Sequence, residues 1–255
     1  MTAQKTNPPP VEVEHLTAGY AERIILRDLS FTIRTGEIFF IAGPSGCGKS
    51  TLLRYLIGLR HAEKGRIRIL GKDLDQLRPA EEPAFYQSIG VLFQGGALWS
   101  SMTLLENVAL PLREHRDYPA GLVYELAALK LRQVGLEGYE GYFPREISGG
   151  MRKRAALARA LALDPAIVFL DEPSAGLDPP TSRKMDRLIK EINAQFGTTL
   201  VVVSHELASI RALADRLLLL DPSTRSSAGL GTLEELLADP ANRLAHRFFG
   251  DEKEA

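Results

Sequence analysis

Cysteine occurs once in the 255 residues, as Cys47, and tryptophan once, as Trp99. A single thiol excludes an internal disulfide and suits a reducing compartment. An excess of one charge is also missing: 31 Lys+Arg stand against 32 Asp+Glu, a net charge of −1. That balance gives no general attraction to nucleic acid or to an anionic membrane and leaves room for a local basic patch. With one "GKS" and no long coiled coil, no nucleic-acid partner is expected. No apolar run approaches the ~20 residues of a membrane helix. The opening "MTAQKTNPPP" lacks the apolar core of a signal peptide. Together these absences lead us to expect a chain soluble by itself, which another chain must hold if it works at a membrane.

What is present fits a folded domain. Hydrophobic residues make up 45% and charged residues 25%, ordinary for a globular protein. The length suits one large α/β domain or a core with an inserted subdomain. Residues 1–10 read as a loose tail. "VEVEHLTAGY", "LSFTIR" and "GRIRILG" alternate apolar and polar, the period of half-buried strands. "GEIFFIAG", "PAIVFLDE", "TTLVVVSH" and "DRLLLLD" are nearly continuous apolar runs, as in parallel strands covered on both faces. Helical patterns lie at 49–59, about 148–163 and about 180–196. Residues from about 95 to 155 are helix-rich without a clear buried strand and read as an inserted helical subdomain. The expected fold is therefore an α/β core with an antiparallel flank near the N-terminus. "DPSTRSSAGLG" at 221–231 reads as a polar loop.

"GPSGCGKS" at 43–50 fits G-x-x-x-x-G-K-[ST] and lies between the apolar "EIFFIA" and the helical "TLLRYLIGL". That context is what gives the motif meaning. Gly43, Gly46 and Gly48 let the backbone close around phosphate oxygens, with N–H groups and a helix N-terminus facing the anion. Lys49 can reach the β- and γ-phosphates, and the Ser50 hydroxyl can bind Mg²⁺. "AIVFLDEP" delivers Asp171 and Glu172 at a strand end, where open α/β sheets bind ligands. Asp171 suits a Mg²⁺ shell; Glu172 can activate water for attack on the γ-phosphate. His205, ending "LVVVSH", is either a γ-phosphate sensor or a plain strand-end polar residue. Gln94, after "SIGVLF", either touches Mg²⁺ or the attacking water, or has no such role. Tyr20 either stacks on adenine or caps a turn. "RKR" at 152–154 reads either as a solvated helix face or as a run near the nucleotide or a partner.

In their order and spacing, "GPSGCGKS", "FQ", "ISGGM", "FLDEPSAGLD" and "VSH" resemble an ATP-binding cassette (ABC) ATPase, over about residues 11–240. The resemblance implies a RecA-like P-loop NTPase core, an N-terminal antiparallel β subdomain and a helical insertion. It implies ATP and Mg²⁺ as cofactors. Tyr20 becomes the adenine-stacking aromatic. Gly43, Pro44, Ser45, Gly46, Cys47, Gly48, Lys49, Ser50 and Thr51 become the Walker A loop. Gln94 becomes the Q-loop glutamine, Asp171 the Walker B aspartate, Glu172 the catalytic base and His205 the switch histidine. "SAGLD", ending in Asp178, is the D-loop. Ser148, Gly149 and Gly150 form the signature, which in this family meets the ATP held by the other subunit of a head-to-tail dimer. Ser148 suits a helix cap.

"ISGGM" departs from the common LSGGQ, because Met151 cannot supply the amide hydrogen bonds of glutamine. With "VLFQGGALWSSMTLLENVALPLREH" at 91–115 it resembles the ATPases of Mla/Mce-type phospholipid transporters. That implies a homodimer on an MlaE-like integral membrane permease, peripheral on the cytoplasmic face of the membrane. A Mce-domain protein and a small accessory subunit are further possible partners. Leu98, Trp99 and Met102 suit either a permease-facing groove or the subdomain's own core. The serine-rich 221–231 segment stands where cassettes often carry a glycine-turned hairpin. The tail from 241 to 255 either docks on a partner subunit or packs locally. A cassette for another substrate, a soluble ABC ATPase and a non-hydrolytic regulator are the competing functions.

Overall fold

The computed structural model describes residues 8–20 and 23–250. Most of the expected 1–10 tail lies outside these residues, as do 251–255. Pro10 is tied down: its carbonyl accepts from the Leu70 N–H at 2.8 Å.

The chain opens with two long paired strands, β1 (Val11–Tyr20) and β2 (Arg23–Ile33), followed by β3 (Ile38–Ala42) and the helix α1 (Lys49–Leu56). Strands β4 (Lys64–Ile69) and β5 (Lys72–Asp73) complete an antiparallel sheet of order β2-β1-β4-β5, the expected N-terminal flank. A short α2 (Glu82–Tyr86) precedes β6 (Ile89–Leu92). Three helices then follow without an intervening strand: α3 (Leu104–His115), α4 (Ala120–Gln133) and α5 (Gly149–Ala160). They occupy the region read as a helical insertion.

Strand β7 (Ile167–Asp171), helix α6 (Pro179–Phe196), strand β8 (Thr199–Val203), helix α7 (Leu207–Leu213) and strand β9 (Arg216–Asp221) return the chain to the core. In the second sheet, of order β10-β9-β3-β8-β7-β6, the five strands from β9 to β6 run parallel. Every residue of β3, β7 and β8 is buried. Their alternation divides two cores. Phe39 and Ile41 join α1 and the antiparallel sheet; Ile38, Phe40 and Ala42 join the helices α3 to α6. Phe31 and Phe39 stack across the first interface with ring centroids 5.8 Å apart.

Two C-terminal readings change. The 221–231 segment is not an open polar loop. Its second half forms β10 (Ser226–Gly231), paired antiparallel with β9. The turn is made by Asp221, whose Oδ1 accepts from the Ser223 N–H and hydroxyl, and by Arg225 at φ 57°. A hairpin therefore stands here as in other cassettes, turned without glycine. The chain ends in α8 (Leu233–Ala238) and α9 (Arg243–Phe249). Ala245 and Phe249 enter the core, and Arg211 donates to the Phe249 carbonyl, so residues 243–249 pack locally.

The helical region has a polar anchor at Asn107, which is fully buried. Its amide donates to the carbonyls of Trp99, Met102 and Thr103 and accepts from the Trp99 N–H, at 2.8–3.1 Å. This pins the 99–103 loop while leaving Trp99 58% exposed. Leu98 packs partly against the core, so the three apolar residues do not share one role.

Candidate nucleotide site

The strand order β3-β8-β7-β6 lines up four carboxyl ends. Behind β3 comes the 43–50 loop; behind β8, Ser204 and His205; at the end of β7, Asp171 and Glu172; behind β6, Gln94. Side chains far apart in sequence thus share one edge, where α/β sheets bind ligands. A cleft of about 610 Å³ opens there, lined by Tyr20, Ser45, Gly46, Gly48, Lys49, Ser50, Thr51, Gln94, Glu172 and His205.

The loop's geometry needs its glycines. At Gly48, φ is 105° and an added Cβ would lie 2.8 Å from Leu26 Cδ2, so the loop presses on β2. Lys49, 6% exposed, donates from Nζ to the carbonyls of Gly43 at 2.7 Å and Pro44 at 3.1 Å. The ammonium is thereby curled over the loop where an anion would sit. Cys47 is buried beneath it, and burial pushes its thiol pKa up, which suits packing rather than chemistry.

Ser50 Oγ lies 3.5 Å from Asp171 Oδ1. Burial, reinforced by the Glu172 charge, pushes the Asp171 carboxyl above the usual aspartate range. A buried carboxylate beside a hydroxyl calls for a cation. This hard-oxygen pair, with the Gln94 amide in the adjoining cleft, fits Mg²⁺.

Glu172 is 7% exposed and has φ 49°, the left-handed region rare for a non-glycine residue. Its Oε1 lies 2.7 Å from His205 Nδ1, and Ser204 Oγ approaches Oε2 at 3.5 Å. Tyr20 is half-buried at the mouth. Its hydroxyl accepts from Arg54 at 2.6 Å, and the Arg60 guanidinium sits 4.0 Å from the ring centroid.

The remaining predicted residues are not brought to this cleft. Ser148 caps α5 by accepting from the Met151 N–H at 3.3 Å. Ser148, Gly150 and Met151 line a separate hollow of about 230 Å³ with Thr181 and Lys184. Asp178 caps α6, accepting from the Thr181 N–H at 3.1 Å. Two cleft residues were missed in the sequence: Arg23 and Ile25 of β2. Their one signal was proximity to Tyr20. Lys153, read as part of a solvated face, is 8% exposed and faces inward.

The ABC transporter family model matches residues 26–175, and the chain belongs to that family. Its curated relatives are ATP-binding proteins of transport systems. The intermembrane phospholipid transport system ATP-binding protein MlaF of Haemophilus influenzae is 37% identical over 241 residues, covering 94% of this chain and 90% of that protein. MlaF of Escherichia coli K12 is 38% identical over 234 residues, covering 92% and 86%. The probable ribonucleotide transport ATP-binding protein mkl of Mycobacterium tuberculosis H37Rv is 45% identical over 207 residues, covering 81% of this chain; the chain spans only 58% of that protein's length. Among solved structures, a dimer of the ATP-binding cassette MJ0796 bound to ADP and Pi is 31% identical with TM-score 0.79, covering 87% of this chain and 98% of that one. The cassette cbiO1 of Clostridium perfringens is 26% identical with TM-score 0.81, covering 91% of each chain.

Proposed function

We propose that this chain is the ATP-hydrolysing subunit of a Mla/Mce-type phospholipid transporter, acting as a head-to-tail homodimer on the cytoplasmic side of a membrane permease. The observation that carries the ATPase reading is the convergence of Lys49, Ser50, Gln94, Glu172 and His205 on one cleft. A second supports the dimer: Ser148 and Gly150 open onto a different hollow, so a γ-phosphate in the cleft meets such a helix start only from a second copy.

The residues divide the work. Tyr20 offers a ring face to adenine, with its other side backed by Arg60. The loop N–H groups and Lys49 hold the phosphates. Ser50, Asp171 and Gln94 would hold Mg²⁺, which would supply neutralisation of phosphate charge. Glu172 accepts a proton from water as its oxygen attacks the γ-phosphorus in line; the bond to the bridging oxygen breaks, releasing ADP and phosphate. His205 orients the Glu172 carboxylate and reaches toward the γ-phosphate. A second copy's signature helix adds positive potential through its exposed N–H groups. ATP, spanning both halves, then favours the closed dimer over the open one, and ADP does not.

The lipid assignment rests on the relatives named MlaF, which match nearly end to end. It brings with it an MlaE-like permease, and a Mce-domain protein and small accessory subunit as further partners. Among the described residues no helix is long and apolar enough to cross a membrane, which suits attachment through a permease. The mkl relatives favour a second reading, ribonucleotide transport, with the same ATPase chemistry. Purifying the native complex and identifying its other chains and bound lipid tests the choice. A Mce-domain protein with copurifying phospholipid supports the first reading; a permease complex without either supports the second.

A further inference from the structure

Glu172 is held in a left-handed backbone conformation, which persists only where the surroundings impose it. Two elements grip it. Its N–H donates to the Val203 carbonyl of β8 at 2.9 Å. Its carbonyl accepts from Lys153 Nζ at 2.8 Å, and the same ammonium donates at 2.6 Å to the Ala175 carbonyl.

Lys153 is an unusual clamp. It is 8% exposed, and both of its hydrogen-bond acceptors are backbone carbonyls rather than carboxylates. Burying an ammonium is costly unless its protons are satisfied, so the site must gain from its placement. The side chain closes the turn 172–175 from below, fixing where Glu172 leaves β7. It also rides on α5, one turn beyond the Ser148–Gly150 start. The Lys153 side chain thus links the first turns of that helix to the backbone of the glutamate in the same subunit.

We infer that Lys153 is a positioning residue for Glu172, setting the aim of its carboxylate and coupling it to the position of α5. This rests on the reading of Glu172 as the catalytic base. Lys153 lines neither the nucleotide cleft nor the hollow at the start of α5, so its removal should act on turnover and not on nucleotide affinity.

The test uses the full-length chain with Lys153→Met, Lys153→Gln and Lys153→Arg, measuring steady-state ATPase, affinity for a fluorescent ATP analogue and thermal melting. Met and Gln are expected to lower kcat about tenfold or more with affinity changed less than about threefold, and Arg to recover most of the loss. Parental kcat in the Met or Gln variant overturns the inference, as does a loss explained wholly by weaker binding. If the Met variant does not fold, the Gln and Arg variants decide: Arg as impaired as Gln also overturns it. Glu172→Gln is assayed alongside. If that variant keeps parental turnover, the reading of the base fails by itself, visibly apart from the Lys153 series.

Discussion

Glu172 Oε1 and His205 Nδ1 lie 2.7 Å apart, joining the end of β7 to the segment after β8. The carboxylate side chain is 8% exposed and the histidine side chain 48%, so the pair has a buried, fixed end and an end open to the cleft. Removing the imidazole leaves the phosphate loop intact but takes from Glu172, the proposed base, its 2.7 Å partner. His205→Ala is expected to lower kcat by about 10²-fold or more, with little change in nucleotide affinity. Paired ATPase and nucleotide-titration measurements check this.

The two signature glycines should separate. An added Cβ at Gly150 would lie 2.6 Å from Thr181 Cγ2, against α6, whereas at Gly149 it would meet only the flexible end of Arg152, with Nη2 3.7 Å away. Gly150→Ala is expected to destabilise the isolated subunit by about 1–3 kcal/mol through overpacking. Gly149→Ala should leave its melting temperature unchanged or slightly higher, because alanine favours helix. Any ATPase loss in the Gly149 variant then reports the surface offered to a second copy. Thermal melts with ATPase assays distinguish the two.

Met151 is half-buried and packs against the core beside α6, and its N–H is held by Ser148. The methionine therefore fills space where other cassettes place an amide. Met151→Gln should keep ATPase activity within about an order of magnitude, since the helix cap and both glycines are retained. A steady-state assay is sufficient to check it.

Asp186 on α6 is 7% exposed and accepts from Ser174 at 3.2 Å and Ser209 at 3.0 Å. Burial pushes its pKa up, with the Ser209 and Ser174 hydrogen bonds opposing. The folded chain then binds more protons than the unfolded one just above the usual aspartate range, so this group's contribution to stability falls as pH rises through its folded value. Asp186→Asn removes that titration and can keep both hydroxyl contacts. Its melting temperature should exceed the parent's at neutral pH, and the gap should close towards about pH 4. Melting curves across that range check the sign.

Much of this was legible before the structure. Strands buried on both faces leave continuous apolar runs, and β3, β7, β8 and β9 were readable for that reason. The motifs after them were readable because each ends a strand. β10 was not: Ser226, Ser227, Ala228 and Gly229 carry no apolar alternation, and their pairing is specified by the neighbouring strand. The burial of Lys153 was hidden because "RKR" looks solvated as a run, which left a solvated face as the first of its two readings. Helical spacing places it on one stripe with Gly150 and Leu157, both buried, a signal that a charge count hides. Arg23 and Ile25 reach the cleft through the twist and pairing of β1 and β2, which no local pattern records.

On the proposed function, one ATP engages two copies of this chain and Glu172 drives its hydrolysis. The most direct measurement is the molar mass of the full-length Glu172→Gln variant by light scattering, with ATP and Mg²⁺ or with ADP, beside its ATPase rate. The expected result is a dimer with ATP, a monomer with ADP, and turnover reduced by about 10²-fold or more. A variant that stays monomeric with ATP, or that hydrolyses ATP at the parental rate, would contradict it.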